Sequence, residues 1–482
     1  MAQNRAAAVS QPATPHRWLT LGFVALAQLM VALDATIVSI ALPSAQRALG
    51  FSDADRGWVI SAYTLSFGGL LLLGGRLADY LGRKRAFLLG LAAFALASTL
   101  GGGAPNFAVL IVARALQGAA GALLAPTALS LLAVTFTEPR ERANAFAVYG
   151  TIAGTGGALG LLLGGAITQL VDWRWCLYVN DVIAVVAAVG GWIVIADVRF
   201  PTRPGFDIPG VILGTGALGS LVYACTRAIT EGWTSGFVLG LLAGSALLLA
   251  LFVWRETRAA TPLLPLGIVL DRNRGGAYIS AALMIAGMFG AFLFITYYLQ
   301  VVLHYSPFQA GLAFLPLSLA GQVGSWAIAS RLMPYVPPRF LMAPGALIAA
   351  AGLALLTQMH VDSGYASLIL PAEILIGVGI SCVMVPAFSV GTHGVNPREA
   401  GAAAATVNAA GQVGGSVGTA VLNMVATSAT VAYLAAHQIG PAVHVQALVS
   451  GYAQAAAYGA AILATAAIAA AILVNAPAPK PR

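Results

Sequence analysis

Long apolar runs, each closed by a short polar stretch, repeat from one end of the chain to the other. A membrane-spanning helix needs roughly 20 mostly apolar residues, and runs of about that length fall at 18–43, 57–76, 86–103, 106–132, 144–169, 176–196, 208–226, 236–254, 277–303, 308–331, 340–359, 366–390, 400–428 and 451–474. The pattern therefore predicts fourteen helices. Alternation of apolar and polar residues is absent from these runs. Their internal glycines and prolines are tolerated where membrane helices pack on one another, which argues against a β-barrel. Composition agrees: 59% of the 482 residues are hydrophobic and 8% charged, with mean hydropathy +0.87. The expected fold class is an all-α polytopic membrane protein.

Charge then orients the helices, because Lys and Arg in short loops resist translocation. With the N-terminus in the cytoplasm, Arg47, Arg56, Arg174 and Arg227 alone of the 24 basic residues fall outside, and Arg114 lies within a helix. This predicts cytoplasmic N- and C-termini in a cell membrane. The net charge of +8 is a topology signal with some attraction to anionic lipid, and it does not call for nucleic acid. The first apolar run is too long for a cleavable signal peptide and acts as its own insertion signal.

Several chemistries find no support. Cys176, Cys225 and Cys382 have no metal or redox spacing, and the six histidines lie in the tail or near loops. A phosphate-binding loop needs a lysine after glycine, whereas Lys84 and Lys480 follow arginine and proline. No nucleotide, metal or other cofactor is expected. The energy for any transport work must come from an ion gradient or from the solute's own gradient.

The densest polar stretch, Gly75-Arg76-Leu77-Ala78-Asp79-Tyr80-Leu81-Gly82-Arg83-Lys84-Arg85, matches the major facilitator motif G-x-L-A-D-x-x-G-R-K/R. Leu33-Asp34-Ala35-Thr36-Ile37-Val38 leading to Ala41-Leu42-Pro43 matches a first-helix signature, and Arg114, Gln117 and Gly118 match R-x-x-Q-G. Trp173-Arg174-Trp175, Phe206-Asp207-Ile208-Pro209-Gly210 and Ser306-Pro307-Phe308-Gln309-Ala310-Gly311 follow in order. On these strings the chain resembles the major facilitator superfamily, in its fourteen-helix drug:proton antiporter branch. The resemblance implies two six-helix bundles, 18–200 and 263–475, a two-helix insert at 201–262, and cytoplasmic tails at 1–17 and 476–482. It also implies alternating access with small-molecule substrates, protons and membrane lipid as partners.

The chain departs from that pattern in places. In the fifth-helix motif G-x-x-x-G-P-x-x-G-G, Gly156, Gly160, Gly164 and Gly165 remain while Leu161 stands at the proline position. Asn180 is followed by Asp181 where branch members usually carry proline. A gradient-independent facilitator, or an exporter dedicated to one endogenous metabolite, therefore stays open beside the drug exporter, as does a non-transporting receptor or scaffold. In the loop after the second helix, Gly75, Asp79, Gly82 and Arg83 form the candidate conformational gate. A carboxylate at Asp79 could cap a neighbouring helix and gain up to ~1–2 kcal/mol from its dipole, and the resemblance implies that this helix is the one beginning near Ala400.

Charges inside the spans are few: Asp34, Asp181, Glu373 and Arg114. Each costs ~2.5–3.5 kcal/mol to insert near the bilayer centre and so demands partners or water. On the boundaries above, Asp34, Arg114 and Glu373 lie roughly 10–14 Å below the external surface, a depth at which they can share one cavity. By the resemblance their helices line the central pathway, so Asp34 and Glu373 are the candidate proton- or cation-binding groups and Arg114 their modulator. A structural clamp remains the alternative for Arg114, and a structural role the expectation for Asp181. Gln117, Tyr297, Asn408 and Gln412 are candidate cavity residues. The aromatic group Phe289, Phe292, Phe294, Tyr297 and Tyr298 serves either flat cationic ligands or helix packing. The excess of acids favours cationic or zwitterionic amphiphiles as cargo.

Overall fold

In the computed structural model, residues 16–478 are described apart from 54, 137, 197–206, 260–261, 263–265, 393–399 and 438–440. The described chain forms fourteen long helical segments. They are α1 (Arg17–Leu49), α2 (Arg56–Leu81), α3 (Arg83–Gly102), α4 (Phe107–Thr135), α5 (Pro139–Leu170), α6 (Trp175–Val194), α7 (Ile208–Glu231) and α8 (Gly236–Arg258). The remainder are α9 (Arg272–Val302), α10 (Pro307–Leu332), α11 (Arg339–Leu356), α12 (Tyr365–Thr392), α13 (Ala400–Ala436) and α14 (Pro441–Leu473). A one-turn helix, Leu266–Val269, precedes α9. Among the described residues, twelve helices are long and apolar enough to cross a membrane by length and composition.

Helices α1 to α6 pack on one another, α9 to α14 do the same, and the α7–α8 pair lies against α2 and α13. Close approach is set by glycine. A Cβ at Gly164 would lie 2.9 Å from Ile37 O, one at Gly160 would lie 2.7 Å from Leu33 O, and one at Gly156 would lie 2.8 Å from Ala32 Cβ. These three therefore press α5 onto the turns of α1 around Asp34. Gly165 points the other way: a Cβ there would meet Pro307 O at 2.5 Å and Phe308 Cα at 2.7 Å, both on α10. Leu161, buried at the position of the missing proline, presses its carbonyl against Gly311 in the same contact. Ser306 and Gln309 form a reciprocal capping box that starts α10 there.

Several helices run past the apolar runs that predict them. α1 continues through Pro43 to Leu49, α13 continues to Ala436, and α14 starts at Pro441 rather than 451. Where α1 runs on past its apolar run it carries Gln46 and Arg47, and on the face where α1 ends and α2 begins the two halves pack on each other. Gln300 Nε2 donates to Ile40 O at 2.9 Å, and Tyr297 OH donates to Gln46. Ser61 and Ser416 each donate to the other's carbonyl, at 3.2 and 3.3 Å. Residues 197–206, between α6 and α7, fall outside the described residues, while Arg255 and Arg258 belong to the last turns of α8.

Candidate functional site

Asp34 sits near the middle of α1 and is fully buried, and three side chains donate to its carboxylate. Arg114 Nη1 on α4 reaches Oδ2 at 2.7 Å, Asn180 Nδ2 on α6 reaches Oδ1 at 2.8 Å, and Gln117 Nε2 on α4 reaches Oδ1 at 3.1 Å. The spacing of Arg114 and Gln117 puts them one turn apart on α4, where side chains meet, and Arg114 Nη1 also donates to Gln117 Oε1 at 2.7 Å. Gln117 Nε2 reaches Ser98 Oγ on α3 at 2.8 Å. Arg114 is 2% exposed and Gln117 and Asp34 are 0% exposed. The cluster is thus a charge pair closed off from solvent and completed by amides.

Arg114 is held from a third side as well. Its Nε donates to Val59 O at 3.1 Å, and its guanidinium lies 4.4 Å from the centroid of the Tyr63 ring one turn on. Both belong to α2. Burying such a pair costs several kcal/mol per ion unless geometry and additional hydrogen bonds compensate. Here the carboxylate has three donors and the guanidinium has an acid, an amide, a carbonyl and a ring face.

The structure does not bring Glu373 to this cluster. Glu373 is equally buried, but on α12 in the other half, where Tyr365 OH donates to Oε2 at 3.2 Å and Oε1 has no hydrogen-bond partner among the described residues. The shared cavity expected from equal depth is therefore replaced by two sites, because α1 and α4 turn their charges toward α6 and α3 while α12 packs against α10 and α11. Asp181 lies on α6 next to Asn180 but points elsewhere, accepting from Thr99 Oγ1 at 2.9 Å.

Tyr297 lies in neither acid site. Its ring covers the Arg56 guanidinium at 4.4 Å. The other aromatic residues of α9 are used in packing: Phe292 stacks on Phe314, Phe294 stacks on Tyr452, and Tyr298 OH donates to His360 O and Ser363 O. Asn408 and Gln412 are half-buried on α13. The Cβ of Gln412 would sit 2.8 Å from a Cβ at Gly68 of α2, and its Oε1 is buried without a hydrogen-bond partner.

In the α2–α3 turn, Gly82 has φ of 86°, a conformation that L side chains rarely adopt, and it separates the two helices. Arg83 opens α3, and a Cβ at Gly75 would lie 3.6 Å from Pro126 Cβ of α4. The Asp79 side chain and residues 393–399 before α13 lie outside the described residues, and with them the expected cap.

The reading of the sequence missed Asn180 and Ser98 as part of the Asp34 cluster, and it took Arg56 for an external loop residue. Arg56 is instead 1% exposed, the first residue of α2, with Nε donating to Asn423 Oδ1 at 3.0 Å and Nη1 to Tyr452 OH at 3.4 Å. Its place among the few basic residues outside was the available signal.

Two helical halves with an inserted helix pair, one half holding a solvent-free ion pair, define a polytopic carrier. The Major Facilitator Superfamily model matches residues 24–419, and the chain belongs to that superfamily. It is a membrane transporter and not an enzyme. It is 51% identical over 470 residues to the puromycin resistance protein of Streptomyces alboniger, covering 97% of this chain and 93% of the relative. It is 40% identical over 417 residues to the cephamycin export protein of Amycolatopsis lactamdurans, covering 85% and 86%. A bacterial homolog of the human lysosomal transporter Spinster, solved in an inward-facing, unoccupied conformation, superposes with TM-score 0.67 at 16% identity, over 95% of this chain and 97% of that one.

Proposed function

We propose that the protein is a secondary active exporter of small amphipathic, cationic or zwitterionic compounds of the antibiotic class, which it exchanges for protons. The relatives named for puromycin resistance and cephamycin export support the cargo class. The observation that carries the coupling is the Asp34 cluster, a buried acid whose charge is balanced by one buried arginine. A proton and a cationic solute can each take over the balancing of Asp34 from Arg114, and a group both can engage exchanges one for the other.

In this reading the bundles 18–200 and 263–475 rock about the insert 201–262, with both termini cytoplasmic and the face where α1 meets α2 external. Glu373 serves as a second proton-binding group in the C-terminal bundle. Asp79, Gly82 and Arg83 act on the opposite, cytoplasmic face. The test is uptake of puromycin into inside-out proteoliposomes with and without an imposed pH gradient, acid inside. Accumulation that collapses when the gradient is dissipated supports antiport. Equilibration at the same rate with and without the gradient contradicts it and leaves the facilitator.

A further inference from the structure

Arg56 occupies a cage built from both halves of the protein, although it begins α2 at the external boundary. Asn423 on α13 and Tyr452 on α14 accept its hydrogen bonds, and the rings of Tyr297, Tyr452 and Phe294 surround its guanidinium at 4.4, 5.4 and 5.9 Å. The acid nearest to it, Asp53, is 3.6 Å away with a side chain 38% exposed. The cation is thus held mainly by an amide, phenols and ring faces of the opposite half. Asn423 Nδ2 in turn donates to Asp53 O at 3.2 Å, so the contact closes on itself.

The same helix touches the Asp34 cluster one turn further on. Val59 accepts from Arg114 and Tyr63 lies beneath it, while Ser61 on the other side of α2 pairs with Ser416 of α13. Helix α2 therefore has one face fixed by Arg114 and the other fixed across the gate. Resting on the coupling reading above, we infer that Arg56 is the latch of the external gate, and that α2 transmits the state of the Asp34–Arg114 pair to it. While Asp34 is paired and no solute is present, Arg114 holds Val59 and Tyr63 in place, α2 is fixed, and the latch stays shut. When a proton or a cationic solute takes over Asp34, Arg114 turns toward Gln117, its hold on α2 loosens, and Arg56 can leave its cage. This prevents the empty carrier from switching faces, which exchange transport requires. The other ionisable side chains that face Asp34 are Tyr63 and Cys176, and those that face Arg56 are Asp53, Tyr297 and Tyr452.

The experiment places spin labels at Ala48 and Gln358, exposed positions on the external ends of opposite halves, in the full chain with its three buried cysteines replaced, and reads the distance distribution in nanodiscs. Arg56→Gln is expected to raise the long-distance population several-fold at every pH, and Arg56→Lys to raise it less. Asp34→Asn should also raise it, and the double variant should match Arg56→Gln alone. Asn423→Leu, which leaves Arg56 in place and removes its acceptor, repeats the test if Arg56→Gln does not fold. An unchanged distribution in both Arg56→Gln and Asn423→Leu overturns the latch. Independent, multiplying effects of Asp34→Asn and Arg56→Gln overturn the transmission. Gradient-driven export measured on the same variants keeps the readings apart. A gate that opens in Arg56→Gln while wild-type flux ignores the gradient sinks the coupling and not the latch, and the reverse sinks only the latch.

Discussion

Among the described residues, Arg114 and Arg56 are the two buried arginines, and they are accommodated in opposite ways. Arg114 meets a carboxylate at 2.7 Å, and its partners all come from helices α1 to α6 of the same half. Arg56 is held chiefly by uncharged groups, and they come from the other half. A charge neutralised within one bundle stays put as the bundles move, so its pairing can record ligand or proton. A charge held by dipoles and rings across a seam is cheap enough to release, since each neutral hydrogen bond contributes only about 0.5–1.5 kcal/mol and each cation–ring contact about 0.5–2 kcal/mol. The first arrangement suits a binding site and the second suits a gate.

The sharpest way to break that contrast is to remove Arg114. Arg114→Leu strands Asp34 in a dry site and is expected to cost about 3–5 kcal/mol of stability, read as a drop in thermal midpoint in detergent. Adding Asp34→Leu should recover most of that loss while export stays absent. A single variant as stable as wild type would show that Asp34 is solvated through some other route.

Packing beneath the two sites is the next lever. Gly160→Leu forces side-chain volume into Leu33 and Thr36 of α1 and should destabilise by about 1–3 kcal/mol or more, with loss of export. Gly165→Leu intrudes on α10 instead, across the bundles, so it should cost export with a smaller loss in thermal midpoint. Equal destabilisation by both would remove the distinction between contacts within a half and contacts between halves.

Smaller effects are expected in the C-terminal half. Glu373→Gln keeps the shape and can still accept from Tyr365, so the thermal midpoint should barely move while gradient-driven export falls. Full export in this variant would reduce Glu373 to a packing residue. Tyr365→Phe, which removes the hydrogen bonds to Ala313 O and Glu373, should cost about 1 kcal/mol per bond and change export least.

Much of this was legible in the sequence where one kind of residue stood out against its background. Apolar run length fixed the number and order of helices, and an acid or a base inside such a run marked Asp34, Glu373 and Arg114. Helix ends were less legible: the last turn of α1 carries Gln46, which accepts from Tyr297 of the opposite half, a contact that run length does not register. Asn180 and Ser98 were silent for a related reason. Neutral polar residues in membrane helices usually serve packing, and no spacing in the chain ties α3 and α6 to α1. The part played by Arg56 was silent because the charge rule treats every boundary arginine alike. Arg47, Arg56, Arg174 and Arg227 are the exceptions in the expected topology, and the structure gives at least two of them a task. Arg56 spans the seam, while Arg174 donates to the carbonyls of Gly102 and Ala104.

In the proposed exchange, Asp34 is the group at which solute and proton replace each other. The direct measurement is the pH change inside proteoliposomes on adding puromycin, for wild type and Asp34→Asn at matched protein density. The account predicts proton movement opposite to the solute in wild type and none above the empty-liposome background in Asp34→Asn. Solute-dependent proton movement of equal size in both would place the exchange elsewhere.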